Sequence, residues 1–102
     1  SGGNQQKILL AKWLQLEPRV VLLHEPTQGV DAGAKLEIHR LIRDFASRTG
    51  AAVVVFSSDE VEVAELCHRV LVMSRGRIIG TLDRHDLSTR RILELANAVE
   101  AA

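Results

Sequence analysis

Between Val20 and Asp31 the chain reads VVLLHEPTQGVD. Four apolar residues run straight into His24 and Glu25, Pro26 follows at once, and a polar turn passes Gly29 to reach Asp31. An apolar run this short, stopped by charge and proline, reads as a buried strand that delivers polar groups at its carboxyl end. In open α/β sheets that end is where ligands sit. The rest of the chain can be ordered around this edge.

Before it, SGGN leads into QQKILLAKWLQL. Ser1 or Asn4 can cap a helix, and Ile8, Leu9, Trp13 and Leu16 give it a broad apolar face, so it should be largely buried with Trp13 in the core. Pro18 stops it. After the strand, Asp31 or Gly33 opens a helix to about Arg48. Ile38, Leu41, Ile42 and Phe45 fall at one-stripe spacing, and Thr49-Gly50 ends it. Ala51 to Phe56 is a second apolar run that fits a parallel strand covered on both faces. It ends in Ser57-Ser58-Asp59. A short helix follows, with Asp59, Glu60 and Glu62 near its start, the charge order that the helix dipole favours. Val70–Met73 and Ile78–Leu82 around Ser74-Arg75-Gly76-Arg77 read as a hairpin. A last helix from about Ser88 to Ala98 places Ile92, Leu95, Ala96 and Val99 on one face. Strands alternating with helices imply right-handed crossovers, a mostly parallel sheet and an α/β fold, here with a carboxyl-terminal hairpin and helix.

Charge excludes some functions. Thirteen Lys and Arg balance thirteen Asp and Glu, which argues against a basic nucleic-acid or membrane surface. Three aromatics of the Phe/Trp/Tyr class in 102 residues leave little to stack on bases. Cys67 has no partner cysteine, so no internal disulfide forms, and a buried structural thiol is expected. His39 and His68 are too scattered for a metal site and are expected at the surface. The start at Ser1-Gly2-Gly3, without an initiator methionine, reads as part of a longer chain.

Two patterns combine: Ser1-Gly2-Gly3-Asn4-Gln5-Gln6-Lys7 at a helix start, and the strand ending His24-Glu25-Pro26-Thr27 followed by Gly29-Val30-Asp31. In this order and spacing the chain resembles the later part of an ABC-transporter ATPase domain, a partial P-loop NTPase. The first pattern resembles the ABC signature, and the second the Walker B strand and D-loop. Ser57-Ser58-Asp59 lies at the family's switch region. SGGNQQK, PTQGVDAGAK and the Ser-Ser pair look most like the carbohydrate-importer branch, in which one polypeptide carries two fused ATPase halves. Residues 1–102 would then be the carboxyl-terminal portion of one such domain, the second.

The resemblance implies roles. Ser1, Gly2, Gly3 and Gln5 would close over the γ-phosphate of ATP held by the opposing half, using the free N–H groups and dipole of a helix start. Glu25 would be the catalytic carboxylate that polarises the attacking water. Asp31 would touch the opposing half while capping its own helix. His24 stands where the family usually has aspartate near Mg²⁺. Imidazole matches that hard ion poorly, so the site is expected to be weakened, unless another group compensates or His24 simply packs at the strand edge. Ser58 stands where most relatives have histidine; a hydroxyl donates one hydrogen bond but carries no charge.

No G-x-x-x-x-G-K-[ST] loop occurs in the sequence, so nothing here cradles a β-phosphate. ATP and Mg²⁺ would need that loop or the opposing half, and no metal site is assigned within the chain. The implied partners are the other ATPase half, membrane permease subunits and an extracytoplasmic sugar-binding protein, without nucleic acid. The implied location is the cytoplasmic face of the membrane. Two alternatives stay open: a non-catalytic regulatory half, and a non-transport ABC ATPase.

Overall fold

A computed structural model describes the backbone of residues 2–101 and the side chains of residues 2–98. Ser1 and the side chain of Val99 lie outside them. The described chain forms two compact units, Ser1–Phe56 and Ser57–Ala102.

In the first unit, helix α1 spans Gly2–Gln15. Leu, Lys, Gln and Ala dominate it, all residues that lose little on entering a helix. It closes with a tight turn: Leu16 N–H bonds Trp13 O at 3.3 Å and Glu17 N–H bonds Leu14 O at 3.0 Å. Glu17 then takes a positive φ of 50° ahead of Pro18. Strand β1 covers Val20–His24, helix α2 Ala32–Thr49 and strand β2 Ala52–Phe56. Asp31 caps α2, its side chain accepting from Ala34 N–H, and Gly50 ends it at φ 71°, the left-handed conformation that glycine adopts without a Cβ penalty. The strands pair in parallel, with Val20 opposite Ala52 and His24 opposite Phe56. This is the expected βαβ unit.

Burial differs from expectation, and the pleat explains how. Buried apolar residues are Leu10, Leu14, Val21, Ile38, Ile42 and Phe45. Strand side chains alternate between faces. Val21, Leu23, Val53 and Val55 therefore occupy the covered face, and Val20, Leu22, Val54 and Phe56 the other, where all four are exposed. Among the described residues of this unit, neither strand is covered on both faces. Helix α1 likewise buries only Gly3, Leu10 and Leu14, while Trp13 is 62% exposed and Ile8, Leu9 and Leu16 are also exposed. The apolar face read from the sequence exists, but α2 meets only a neighbouring stripe of it.

In the second unit, helix α3 spans Glu60–Leu66, strands β3 and β4 cover Val70–Ser74 and Arg77–Leu82, and helix α4 spans Thr89–Ala101. The strands form the expected antiparallel hairpin, with a bulge at Val72/Met73. Its two-residue turn, Arg75-Gly76, has φ of 51° and 77°, the paired positive values of a tight hairpin turn. Val70, Val72, Leu82 and Ile92 form the core, with Val63, Ala64, Cys67, Leu95 and Ala96 packed against it. Leu95 lies over Gly80, where an added Cβ would come within 2.9 Å of its Cδ1. Leu71, Met73 and Ile78, on the opposite face of the hairpin, are exposed.

Candidate functional site

The carboxyl end of β1 is built by backbone geometry. Glu25 N–H bonds Phe56 O at 2.7 Å, which extends the ladder one residue past β1. Glu25 then turns to φ 49°, a left-handed conformation uncommon for a residue with a side chain. Pro26 and Thr27 are buried immediately after it, and Gln28 N–H bonds Glu25 O at 3.2 Å. The Glu25 side chain is half-buried at this corner. Glu17 and Arg75 share the positive φ, each in a tight turn, so the conformation alone does not mark a reacting group. His24 is exposed, its ring 6.4 Å from the Phe56 ring and tilted by 48°.

The start of α1 packs beside this corner. Gln6 Nε2 donates to Pro26 O, and Lys7 pairs with Glu37 of α2 at 2.7 Å. The two glycines at this helix start differ. Gly2 has open space where a Cβ would stand, whereas a Cβ on Gly3 would come within 2.7 Å of Ala34 Cβ. Gly3 is thus small because α2 approaches it, a reason independent of any ligand. Gln5 is exposed. Asp31 is exposed and serves as the α2 cap, with Ala34 N–H at 2.8 Å.

Described by itself, the Ser57–Asp59 turn of the second unit is held by side-chain hydrogen bonds. Asp59 caps α3, accepting from Val61 N–H at 3.0 Å and Glu62 N–H at 3.2 Å. Ser58 is exposed. Glu62, placed from the sequence near the helix start in the charge order that the dipole favours, is turned inward. It is 1% exposed and accepts from Ser57 Oγ at 2.8 Å. His39, expected at the surface, is corrected: it lies on the buried side of α2, 1% exposed. The signal for both was position, since each neighbours a buried apolar stripe.

Cys67 is half-buried. Burial, and then the Glu62 charge, push its thiol above the ordinary value. A raised thiol pKa means the folded state holds the proton more tightly than the unfolded one. Its contribution to stability is complete below the ordinary thiol range and is lost as pH rises through it and beyond. Alkylation of Cys67, located by mass spectrometry, is expected to run several-fold slower at pH 8.5 than for a free cysteine. Glu62→Gln should speed it.

Tested as a metal site, the described residues fall short. No group of three or more His, Cys, Asp or Glu could hold an ion, and the neighbour of Glu25 on the strand is an imidazole. A shallow cavity bounded by Glu17, Arg19, Arg48 and Gly50 lies at the amino ends of β1 and β2, the end of the sheet away from Glu25. Among the described residues no helix is long and apolar enough to cross a membrane.

Comparison with solved structures identifies the fold. The chain superposes on an ATP-binding cassette of an ABC transporter in its ADP conformation, with a TM-score of 0.77, at 20% identity, over 95% of this chain and 40% of that one. It superposes on a Clostridium perfringens component of the cbiONQ ABC transporter complex with a TM-score of 0.73, at 26% identity, over 99% of this chain and 38% of that one. The fold is therefore that of part of an ABC ATPase cassette, a P-loop NTPase.

Sequence relatives narrow the class. The chain is 50% identical over 97% of its length to a Pseudomonas fluorescens protein provisionally described as a ribose/galactose/methyl galactoside import ATP-binding protein. It is 51% identical over 99% of its length to a ribose import ATP-binding protein of Agrobacterium fabrum. The chain is homologous, nearly end to end, to one segment of the ATP-binding proteins of sugar-import ABC transporters. It spans 19% of the first relative and 21% of the second. No protein-family model matches it.

Proposed function

We propose that residues 1–102 are the carboxyl-terminal portion of one ATPase domain in an ATP-driven sugar importer. The observation that carries this reading is the half-identity to sugar-import ATP-binding proteins over 97% of the chain. The helix start at Gly2, the corner at Glu25 and the capped turn at Ser58 supply its chemistry.

In this reading ATP supplies the γ-phosphoryl group and the free energy. The Glu25 carboxylate accepts a hydrogen bond from water and orients it for in-line attack. The Ser58 hydroxyl donates to a phosphoryl oxygen. The α1 amino end, with Ser1, Gly2, Gly3 and Gln5, offers N–H groups to ATP bound by an opposing half, and Asp31 faces that half. Residues outside this sequence hold the nucleotide and Mg²⁺. The partners are the opposing half, permease subunits and an extracytoplasmic sugar-binding protein, which places the subunit at the cytoplasmic membrane face.

The test is uptake of labelled ribose or galactose by cells lacking the full-length subunit and complemented with it. Restored uptake is expected; absence of uptake together with absence of ATP turnover would overturn the reading. The 102-residue chain by itself is expected to bind ATP no more tightly than about millimolar, roughly −4 kcal/mol. Micromolar affinity by calorimetry would contradict that.

A second reading is favoured by one observation, the imidazole of His24 next to Glu25. A half without a metal-supporting carboxylate can present its signature to a partner while hydrolysing slowly or not at all. Turnover after Glu25→Gln separates the two.

A further inference from the structure

Glu62 is the group in the second unit whose burial most needs a reason. Its side chain is 1% exposed, and carboxylates are almost never buried so fully unless they are engaged by partners. Ser57 Oγ donates to Glu62 Oε1 at 2.8 Å. The same Oγ accepts from Asp59 N–H at 3.0 Å. Asp59 Oδ1 in turn accepts from the Glu62 N–H at 3.2 Å. These contacts close a ring that runs from the Glu62 carboxylate through Ser57 and Asp59 back to the Glu62 backbone. Ser58 sits within it, pinned on both sides by neighbours and exposed itself.

We propose that Glu62 is a positioning residue, which through Ser57 holds the Ser57–Asp59 turn so that the Ser58 hydroxyl is presented to a phosphoryl oxygen of ATP. This rests on the nucleotide reading above. A hydroxyl on a freely turning loop samples many directions, and its contribution depends on being aimed before the reaction begins. Packing alone does not call for a carboxylate, because an apolar side chain of similar volume fills such a position without the cost of desolvating a charge. What a carboxylate adds is a strong, directed acceptor for Ser57.

The experiment uses the full-length subunit in its transporter. Ser57→Ala is expected to lower kcat for ATP about tenfold with KM within about twofold, and Ser57→Thr, which keeps the hydroxyl, to restore it. Glu62→Met should match Ser57→Ala, and the double variant should be no slower than either single one, since one linkage is being broken twice. A merely structural Glu62 would reduce the amount of folded protein while leaving kcat per folded molecule unchanged. Glu25→Gln, measured alongside, separates the failures. If it stops turnover while Ser57→Ala leaves kcat within about twofold, the positioning role is overturned and the ATP reading stands. If Glu25→Gln leaves turnover unchanged, hydrolysis does not depend on the site at Glu25 and Ser58, and the positioning role falls with it.

Discussion

Glu25→Gln in the full-length subunit is expected to slow ATP turnover by about a hundredfold or more, the span lost when a positioned general base is removed. ATP binding should stay within about threefold, because the amide keeps the shape and one acceptor oxygen. The geometry makes this a clean substitution. Glu25 is fixed by its own backbone, with N–H on Phe56 O at 2.7 Å and φ at 49°, and Pro26 is buried behind it. None of these depends on the charge of the side chain, so the variant should fold normally. Steady-state turnover with saturating ATP and sugar-loaded receptor reads the effect. Turnover within about twofold of the parent would move hydrolysis to the opposing half and establish the regulatory reading that His24 favours.

The second large effect divides two adjacent glycines. Gly3→Ala should destabilise the subunit, because its Cβ would meet Ala34 Cβ at 2.7 Å, a conflict between two Cβ atoms that no rotamer relieves. Overpacking of this kind costs about 1–3 kcal/mol, more than the ~0.5–1 kcal/mol that alanine gains over glycine inside a helix. Gly2→Ala meets nothing within 4 Å, so only the gain applies and the melting temperature should hold or rise. Turnover should show another order. Gly2→Ala places a methyl group on the open side of the helix start, where the proposal puts a phosphate, and should slow ATP hydrolysis severalfold in a well-folded protein. Thermal melts and turnover, measured on both variants, check the pair. Equal stability of the two would contradict the close approach of α1 and α2.

The element order was legible because local chemistry agreed with itself. Pro18, Gly50 and the Arg75-Gly76 turn each end an element for a reason that the residue carries. Asp31 and Asp59 start helices in the same way. Burial was less legible. The stripe of α2 was right, since Ile38, Ile42 and Phe45 are all buried. Trp13 was wrong, because periodicity shows that a helix has an apolar face and not which part of it this chain covers. His39 was misread for a related reason. A polar residue beside an apolar stripe is assigned to solvent by default, and only the packing of neighbouring elements shows that it turned inward. The proposed role of Glu25 came from its neighbours in sequence. The left-handed turn that presents it, and the Ser57–Glu62 contact, have no sequence signature of their own.

The face of the parallel strand pair that carries Val20, Leu22, Val54 and Phe56 has a further consequence, in the cell rather than in the reaction. Among the described residues of the first unit nothing covers it, and apolar strand surface left open to water is what chaperones and proteases act on. In the proposed importer, a substitution that leaves Glu25, Ser58 and Gly2 untouched but loosens whatever packs over those four side chains would abolish transport by removing the protein. Loss of transport by itself therefore locates no catalytic residue here. The abundance of the subunit has to be known before a silent variant can be read as a chemical one.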